Sequence, residues 1–315
     1  VTAGAGARHG ADAAPVFATF CWAWLIAGLL NVAIAVVQVF WPELADGNWV
    51  AVSSMPGRAV GNLRQPNHLS SLLLWACIAT VSLLQMRRLA WRWAAACMAG
   101  LVFAVVLTAS RTGLLSVGLL ALWGLLDRRL DRRARGLLLA APLLYALAWL
   151  GMAEWASLSE HRFGGTQRLA ETDISGSRFG IWTNTLDLIR AHPWTGVGFG
   201  EFNFSWTLTP FPGRPVAFFD HTHNLPLQLA VELGLPLSTV VMGLLLGGLW
   251  FGGRRALQAE GDLGTAQRSA MLMVLMIGLH SLLEYPLWYA YFLPVSYTHL
   301  RAHETDSYLV CRLLL

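Results

Sequence analysis

A chain of 315 residues that is 56% hydrophobic, with 15 tryptophans and a mean hydropathy of +0.52, is too apolar for an ordinary soluble domain. Its 22 basic residues are all arginine, against 18 acidic ones, and most stand in short clusters between apolar runs, which signals membrane topology before nucleic-acid binding. The four cysteines include three inside apolar runs (Cys21, Cys77, Cys97) and show no disulfide framework or zinc spacing.

Residues 1–15 are small and polar, lack the succession of a cleaved signal peptide, and are expected as a loop at a truncated start. Val16 to Phe40 is apolar for long enough to cross about 30 Å of hydrocarbon. A polar loop to Asn67 follows, containing Gly61-Asn62-Leu63-Arg64-Gln65-Pro66-Asn67-His68, and then a second span from Leu69 to Met86, ended by Arg87-Arg88. From Trp91 to Leu126 the apolar stretch has twice the length of one span and is interrupted by Ser110-Arg111-Thr112-Gly113, which predicts two spans meeting at a tight turn. The most basic stretch, Asp127 to Arg135, precedes a short fifth span from Gly136 to Met152. A long polar segment, 153–224, ends in His221-Thr222-His223-Asn224. The sixth span is Leu225 to Phe251, and the seventh runs from Ala270 to about Leu293. Residues 295–315 lack membrane periodicity and resemble a tail that recurs on unrelated sequences as translated adapter, so they are set aside as non-native. The expected fold is an all-α polytopic membrane bundle of about seven spans with one long periplasmic segment.

Arginine bias in short loops fixes the orientation. The loops holding Arg87, Arg88 and Arg92, then Arg128 to Arg135, then Arg254, Arg255 and Arg268 are expected in the cytoplasm, and two spans separate each from the next. Parity puts the Gln65 loop, the Arg111 turn, segment 153–224 and the far end of the seventh span on the opposite face. The unusual polar groups thus collect on one side, as for a site facing the periplasm or exterior.

Arg111 interrupts an apolar run, which costs roughly a few kcal/mol unless it meets water, a partner or an anion; a guanidinium snorkelling at a helical hairpin is the plainer alternative. Arg178 lies in Ser175-Gly176-Ser177-Arg178-Phe179-Gly180-Ile181-Trp182, read as the start of an amphipathic surface helix capped by Ser175 or Ser177. Two arginines on one aqueous face suit a diphosphate, because the planar fork grips phosphate oxygens and keeps its charge. His221 and His223 are two apart, so in an extended segment they point the same way. A metal needs a third ligand that the spacing does not supply, and none is assigned. With Asn224 capping the sixth helix and Pro226 in its first turn, a neutral histidine is left to act as general base. His280 and Glu284, four apart, are expected on one helical face and within hydrogen-bonding reach. Gln65, Asn67 and His68 by themselves read as interface polarity, and they stand with Arg64 and Tyr285 on the face where the candidate site is expected.

These residues resemble the bacterial O-antigen ligase and O-oligosaccharyltransferase superfamily. The family's pattern of His, then Asn, Ser or Gln, then nine residues and Gly is met by His223, Asn224 and Gly234. The Ser110-Arg111-Thr112-Gly113 turn, Ser177-Arg178 with Trp182, and Pro193-Trp194-Thr195-Gly196-Val197-Gly198 are similar too. Gly61-Asn62, Gln65-Pro66-Asn67-His68 and His280 through Trp288 look like the PglL-type protein O-glycosylation branch. The resemblance covers roughly residues 20–294, with early spans of the family pattern missing. It implies a metal-independent transfer needing no cofactor, from an oligosaccharide on undecaprenyl pyrophosphate to a Ser/Thr hydroxyl of a periplasmic, pilin-type protein, or to lipid A–core or a growing O-antigen chain. Arg111 and Arg178 would hold the diphosphate, His223 would take the acceptor proton, and His221, Gln65 and Tyr285 would orient substrates. A transporter is the alternative of another class, though the chain shows no internal repeat and no pair of broken spans.

Overall fold

The computed structural model describes residues 2–159, 161–170, 174–212, 219–289 and 292, and the tail 295–315 lies outside them. The described residues are helical and loop, with no strand. They divide into two units, Val1–Ala170 with Arg255–Met276, and Glu171–Arg254 with Ile277–Leu315.

The first unit is built around one helix. In chain order it holds α1 (Thr2–Phe40), α2 (Pro66–Gln85), α3 (Trp91–Leu107), α4 (Arg111–Leu126), α5 (Arg132–Leu158) and α6 (Gly164–Ala170). Residues 2–15, expected as a loop, instead continue α1, in keeping with the helix propensity of their alanines. The fifth span is also longer than its apolar core, 27 residues from Arg132. Among the described residues four helices are long and apolar enough to cross a membrane: α1 from Ala14, α2, α5, and α9 (Leu225–Gln258), most of which belongs to the second unit. The two arms of the Arg111 hairpin, α3 and α4, are shorter apolar helices.

α2 packs against α1, α3, α4 and α5 and is buried nearly all round. Such a helix has no water for its polar groups, so each must be satisfied within the protein. Thr80 and Ser82 hydroxyls return to the carbonyls of Ala76 and Ile78. Ser82 Oγ also meets Ser269 Oγ at 2.8 Å, and Trp75 Nε1 donates to Met273 O at 3.0 Å, tying α2 to the first part of α10 (Gly261–Ser281). A Cβ on Gly28 would fall 2.5 Å from Ala76 Cβ, so α1 reaches α2 as closely as small residues permit.

The two ends of this bundle have opposite chemistry. At one end the arginine-bearing loops meet: Arg268 pairs with Asp127 at 2.7 Å, both side chains 8% exposed, and Arg129 donates to Ala259 O. Gln85 Oε1 accepts from Asp131 N. The expected grouping of basic loops on one face is therefore present. At the other end the α3–α4 turn, with Ala109 at φ +49°, sits on the start of α2: Ser110 Oγ donates to Asn67 Oδ1 at 2.7 Å and accepts from Gly113 N. The 41–65 loop is folded over this end by Gln38, whose buried amide binds Ala51 O, Val60 N and Gly61 N. Arg58, which the sequence pattern did not single out, is buried there and donates through Nε to Thr108 O.

The second unit contains α7 (Ile174–Ala191), α8 (Phe202–Leu208), most of α9 and the turn after α10. The seventh span is shorter than expected. α10 ends at Ser281, and a bend then leads to a single 3-10 turn, Pro286–Trp288. Pro286 cannot continue the helical hydrogen-bond ladder. α10 as a whole is not among the helices apolar enough to span.

Candidate functional site

The site grows from a small aromatic core in the second unit. Ile181, Leu188 and Ile189 of α7 pack with Phe202 and Trp206 of α8, Phe211 and Val231 of α9, and the partly buried Trp182, Val197, Phe219 and Leu227 lie against them. On this base rest two loops, 193–198 and 219–224.

The first loop docks where α9 is broken. Gly234 has φ +74° and ψ 165°, a conformation open essentially to glycine alone, and Pro236 has no N–H to return to Glu232 O. The freed groups are taken up by the loop. Val197 N donates to Val231 O, Gly198 N to Glu232 O, and Leu235 N to Pro193 O, at 2.8 to 3.1 Å. The contact is backbone on backbone: a Cβ on Gly234 would lie 2.4 Å from Trp194 O, and one on Gly196 2.4 Å from Glu232 O. Two motifs that are separate in the sequence, Pro193 to Gly198 and the glycine ten residues after Asn224, are two halves of one junction.

The second loop carries the histidines, and Thr222 between them is held on every side. Its N–H donates to Gln228 Oε1 at 2.8 Å, its carbonyl accepts from Trp182 Nε1 at 3.0 Å, and its hydroxyl donates to Asn224 O. Gln228 is backed in turn by buried Glu232. Asn224 caps α9 as expected, accepting from Leu227 N, while its amide reaches Leu282 O. His223 has φ +55°, so the segment is not extended there and the two imidazoles are not parallel as the spacing predicted. Both nevertheless meet Tyr285: His221 stacks on it face to face (4.3 Å, 9°), and His223 approaches edge-on (4.9 Å, 70°). Trp288 meets the His221 ring edge-on at 5.0 Å.

Glu284 joins the pieces. Oε2 lies 2.6 Å from His223 Nδ1 and Oε1 2.5 Å from an Arg178 terminal nitrogen. The expected pairing of Glu284 with His280 is present as an electrostatic interaction, but the two do not share a helical face. α10 has ended by Ser281, Glu284 keeps a backbone bond to His280 O, and its carboxylate turns to Arg178 and His223. Burial pushes the Glu284 carboxyl up, but the hydrogen bond from His223 and the charges of His223, Arg178 and His280 outweigh it and hold it below the usual glutamate range. An ionised carboxylate accepts only, so the proton between the two belongs on His223 Nδ1, and in the tautomer this selects for the uncharged ring the lone pair is on Nε2. Burial first, then the neighbouring Tyr289 and Asp220, push the Tyr285 phenol up, so it stays a neutral donor. His221 Nδ1 is 3.2 Å from Asp220 Oδ1 but outside hydrogen-bonding alignment.

Of the ten residues chosen from sequence, the second unit brings together His221, His223, Arg178, Glu284 and Tyr285, with His280 one helical turn before Glu284. Arg64, Gln65, Asn67 and Arg111 belong to the first unit. Gln65 caps α2 through His68 N, Asn67 is buried against Ser70 and Ser110, Arg64 is exposed at φ +57°, and Arg111 is exposed as the first residue of α4. Ser175 and Ser177 lie inside α7, which starts at Ile174, so neither is its cap. Sequence reasoning missed Gln228, whose only signal is a polar residue one turn into an apolar helix, and the clamping role of Trp182. Among the described residues no group of three or more His, Cys, Asp or Glu is placed to hold a metal.

Comparison with known proteins matches three family models to consecutive parts of the chain. Residues 59–84 match a protein glycosylation ligase model, 93–246 the O-antigen ligase model, and 269–305 the C-terminal part of a virulence factor membrane-bound polymerase model. The general O-oligosaccharyltransferase of Acinetobacter baylyi is 27% identical over 301 residues, 92% of this chain and 51% of that protein. The ComP-specific O-oligosaccharyltransferase of the same organism is 26% identical over 291 residues, 88% of this chain and 49% of that one. The chain thus spans about half the length of these relatives.

Proposed function

We propose that the chain, which matches the O-antigen ligase model over 93–246 and a protein glycosylation ligase model over 59–84, is a member of that superfamily: a multi-pass membrane glycosyltransferase that moves an oligosaccharide from undecaprenyl pyrophosphate to a Ser/Thr hydroxyl of a periplasmic protein. The observation that carries this reading is the Glu284 carboxylate set between His223 Nδ1 and Arg178. With its Nδ1 proton fixed on Glu284, His223 presents Nε2 to the acceptor hydroxyl and takes its proton as the oxygen attacks the anomeric carbon. The new C–O bond forms as the bond from that carbon to phosphate breaks, and the electron pair leaves with the diphosphate. Glu284 then stabilises the imidazolium. Arg178 gives one N–H to Glu284 and, with its side chain 29% exposed, keeps others for the departing phosphate oxygens. The resemblance gives Arg111 a second diphosphate contact, and its substitution tests that role separately. The inner membrane, with the site toward the periplasm, follows from the arginine bias of the loops.

The O-antigen ligase match over 93–246 supports a second reading, with lipid A–core as the acceptor. One experiment separates the two: the protein is expressed in cells that supply a lipid-linked glycan, a pilin-type acceptor and lipid A–core together, beside its His223→Ala variant. Glycan on the pilin, lost in the variant and unchanged by a chelator, supports protein glycosylation. Glycan on lipid A–core alone makes it a ligase. Transfer that survives His223→Ala overturns the mechanism for either acceptor.

A further inference from the structure

At the arginine-rich end of the first unit lies an open cavity of about 690 Å³. Arg87, Arg88, Arg132 and Arg133 line it, all exposed, and among the described residues none of the four is paired with a carboxylate. Its apolar side is made by Leu84 and Leu89, with Trp91 at the mouth. The one acidic lining residue, Asp131, is exposed, and its Oδ1 caps α5 by accepting from Ala134 N. Topological bias accounts for arginines in these loops, but not for how they are used. Arg129, Arg135 and Arg268 of the same end donate to Ala259 O, Gly124 O and Asp127, whereas the four cavity arginines are left facing one space.

The backbone shows the same selection. α2 ends in a Schellman motif, with Arg88 N donating to Leu83 O and Arg87 N to Leu84 O, and the left-handed position, normally a glycine's, is occupied by Arg87 at φ +56°. A guanidinium stands where a side chain is disfavoured, and it lines the cavity.

We propose that this cavity binds the phosphodiester headgroup of an anionic phospholipid of the surrounding bilayer. Four guanidiniums against one carboxylate leave the cavity net positive, and at the membrane–water boundary they supply bidentate donors for phosphate oxygens. Leu84, Leu89 and the amphipathic Trp91 provide the apolar edge along which acyl chains leave. The inference is independent of the glycan-transfer reading.

The test is native mass spectrometry of the purified protein in neutral detergent, incubated in turn with phosphatidylglycerol, phosphatidylcholine, and phosphatidylglycerol plus inorganic phosphate. Phosphatidylglycerol is expected to be retained over phosphatidylcholine, with retention falling about five-fold for each cavity arginine removed. Arg87→Gly is the decisive variant, because glycine suits that backbone position, so lipid loss is expected with no fall in melting temperature. Arg88→Gln with Arg133→Gln is the second, and Arg128→Gln, in the same basic loop but outside the cavity lining, is the control for charge alone. Equal retention of both lipids, cavity variants that lose no more than Arg128→Gln, or displacement by inorganic phosphate would each overturn the proposal.

Discussion

Polar side chains are buried in both units, but they are used differently. In the α2-centred unit they close on one another: Ser82 on Ser269, Ser110 on Asn67, Arg268 on Asp127, Gln65 on its own helix end. In the second unit they converge on His223 and Glu284 with capacity left over, since His223 Nε2 and the remaining N–H groups of Arg178 point to no partner named within the site. In the first unit these paired groups are satisfied where they stand, with Asn31 Oδ1 and Gln267 Oε1 as buried exceptions, whereas the groups proposed for chemistry are held by neighbours so that one atom stays available.

The largest effect expected from this contrast is on His223. His223→Ala should lower transfer by roughly 10²–10⁴-fold, the usual contribution of a general base, with little change in melting temperature, measured by glycan transfer in membranes. Glu284→Gln keeps the shape and removes the charge, and should cost about 10²-fold through loss of the orienting carboxylate. The same variant has a pH signature. Because Glu284 is held below its ordinary value of about 4.3, its ionised form stabilises the fold above that value, and the contribution is lost as pH falls through the depressed one. The native protein should therefore lose melting temperature on acidification below about pH 4 more steeply than Glu284→Gln. Equal slopes would mean that the carboxylate is not paired as described.

The junction beneath the site comes next. Gly234→Ala forces a Cβ onto Trp194 O in a conformation that only glycine adopts, and should destabilise the protein by about 2–3 kcal/mol, read as a fall in melting temperature together with activity. Gln228→Leu removes the acceptor for Thr222 N at a cost of about 1 kcal/mol. Its distinguishing result is a rate loss larger than its stability loss, as expected of a residue that positions the histidine loop. The smallest effect belongs to the first unit. Gln65→Ala should cost about 1 kcal/mol as a lost cap, with transfer per folded molecule unchanged. A large rise in KM would restore Gln65 as a substrate contact and blur the contrast between the units.

Much of the first unit is legible without coordinates. The hairpin at Ser110–Gly113 and the grouping of arginine loops follow from apolar length and charge, and in the second unit the cap at Asn224 follows from N-cap chemistry. The fold departs where a local rule was pushed past its neighbourhood: alanine-rich residues 2–15 joined α1, and Pro286 stopped the seventh helical segment short. The site was legible as a membership list but not as a set of bonds. His223, Arg178 and Glu284 all stand out in the sequence, but the i,i+4 rule reaches only His280 and gives no sign of the carboxylate's bonds to Arg178 and His223.

The sequence by itself determined that the chain is a helical membrane protein, where its apolar helices fall, and which residue types are available for acid–base and anion chemistry. Those properties are sums over neighbouring residues. Tertiary structure alone decided that Glu284 serves His223, 61 residues away, and Arg178, 106 away, and that Thr222 is clamped between Trp182 and Gln228. It also decided that Gly196 and Gly234 meet backbone to backbone. Such pairings depend on which surfaces the chain buries against each other, and no local period or spacing encodes that choice.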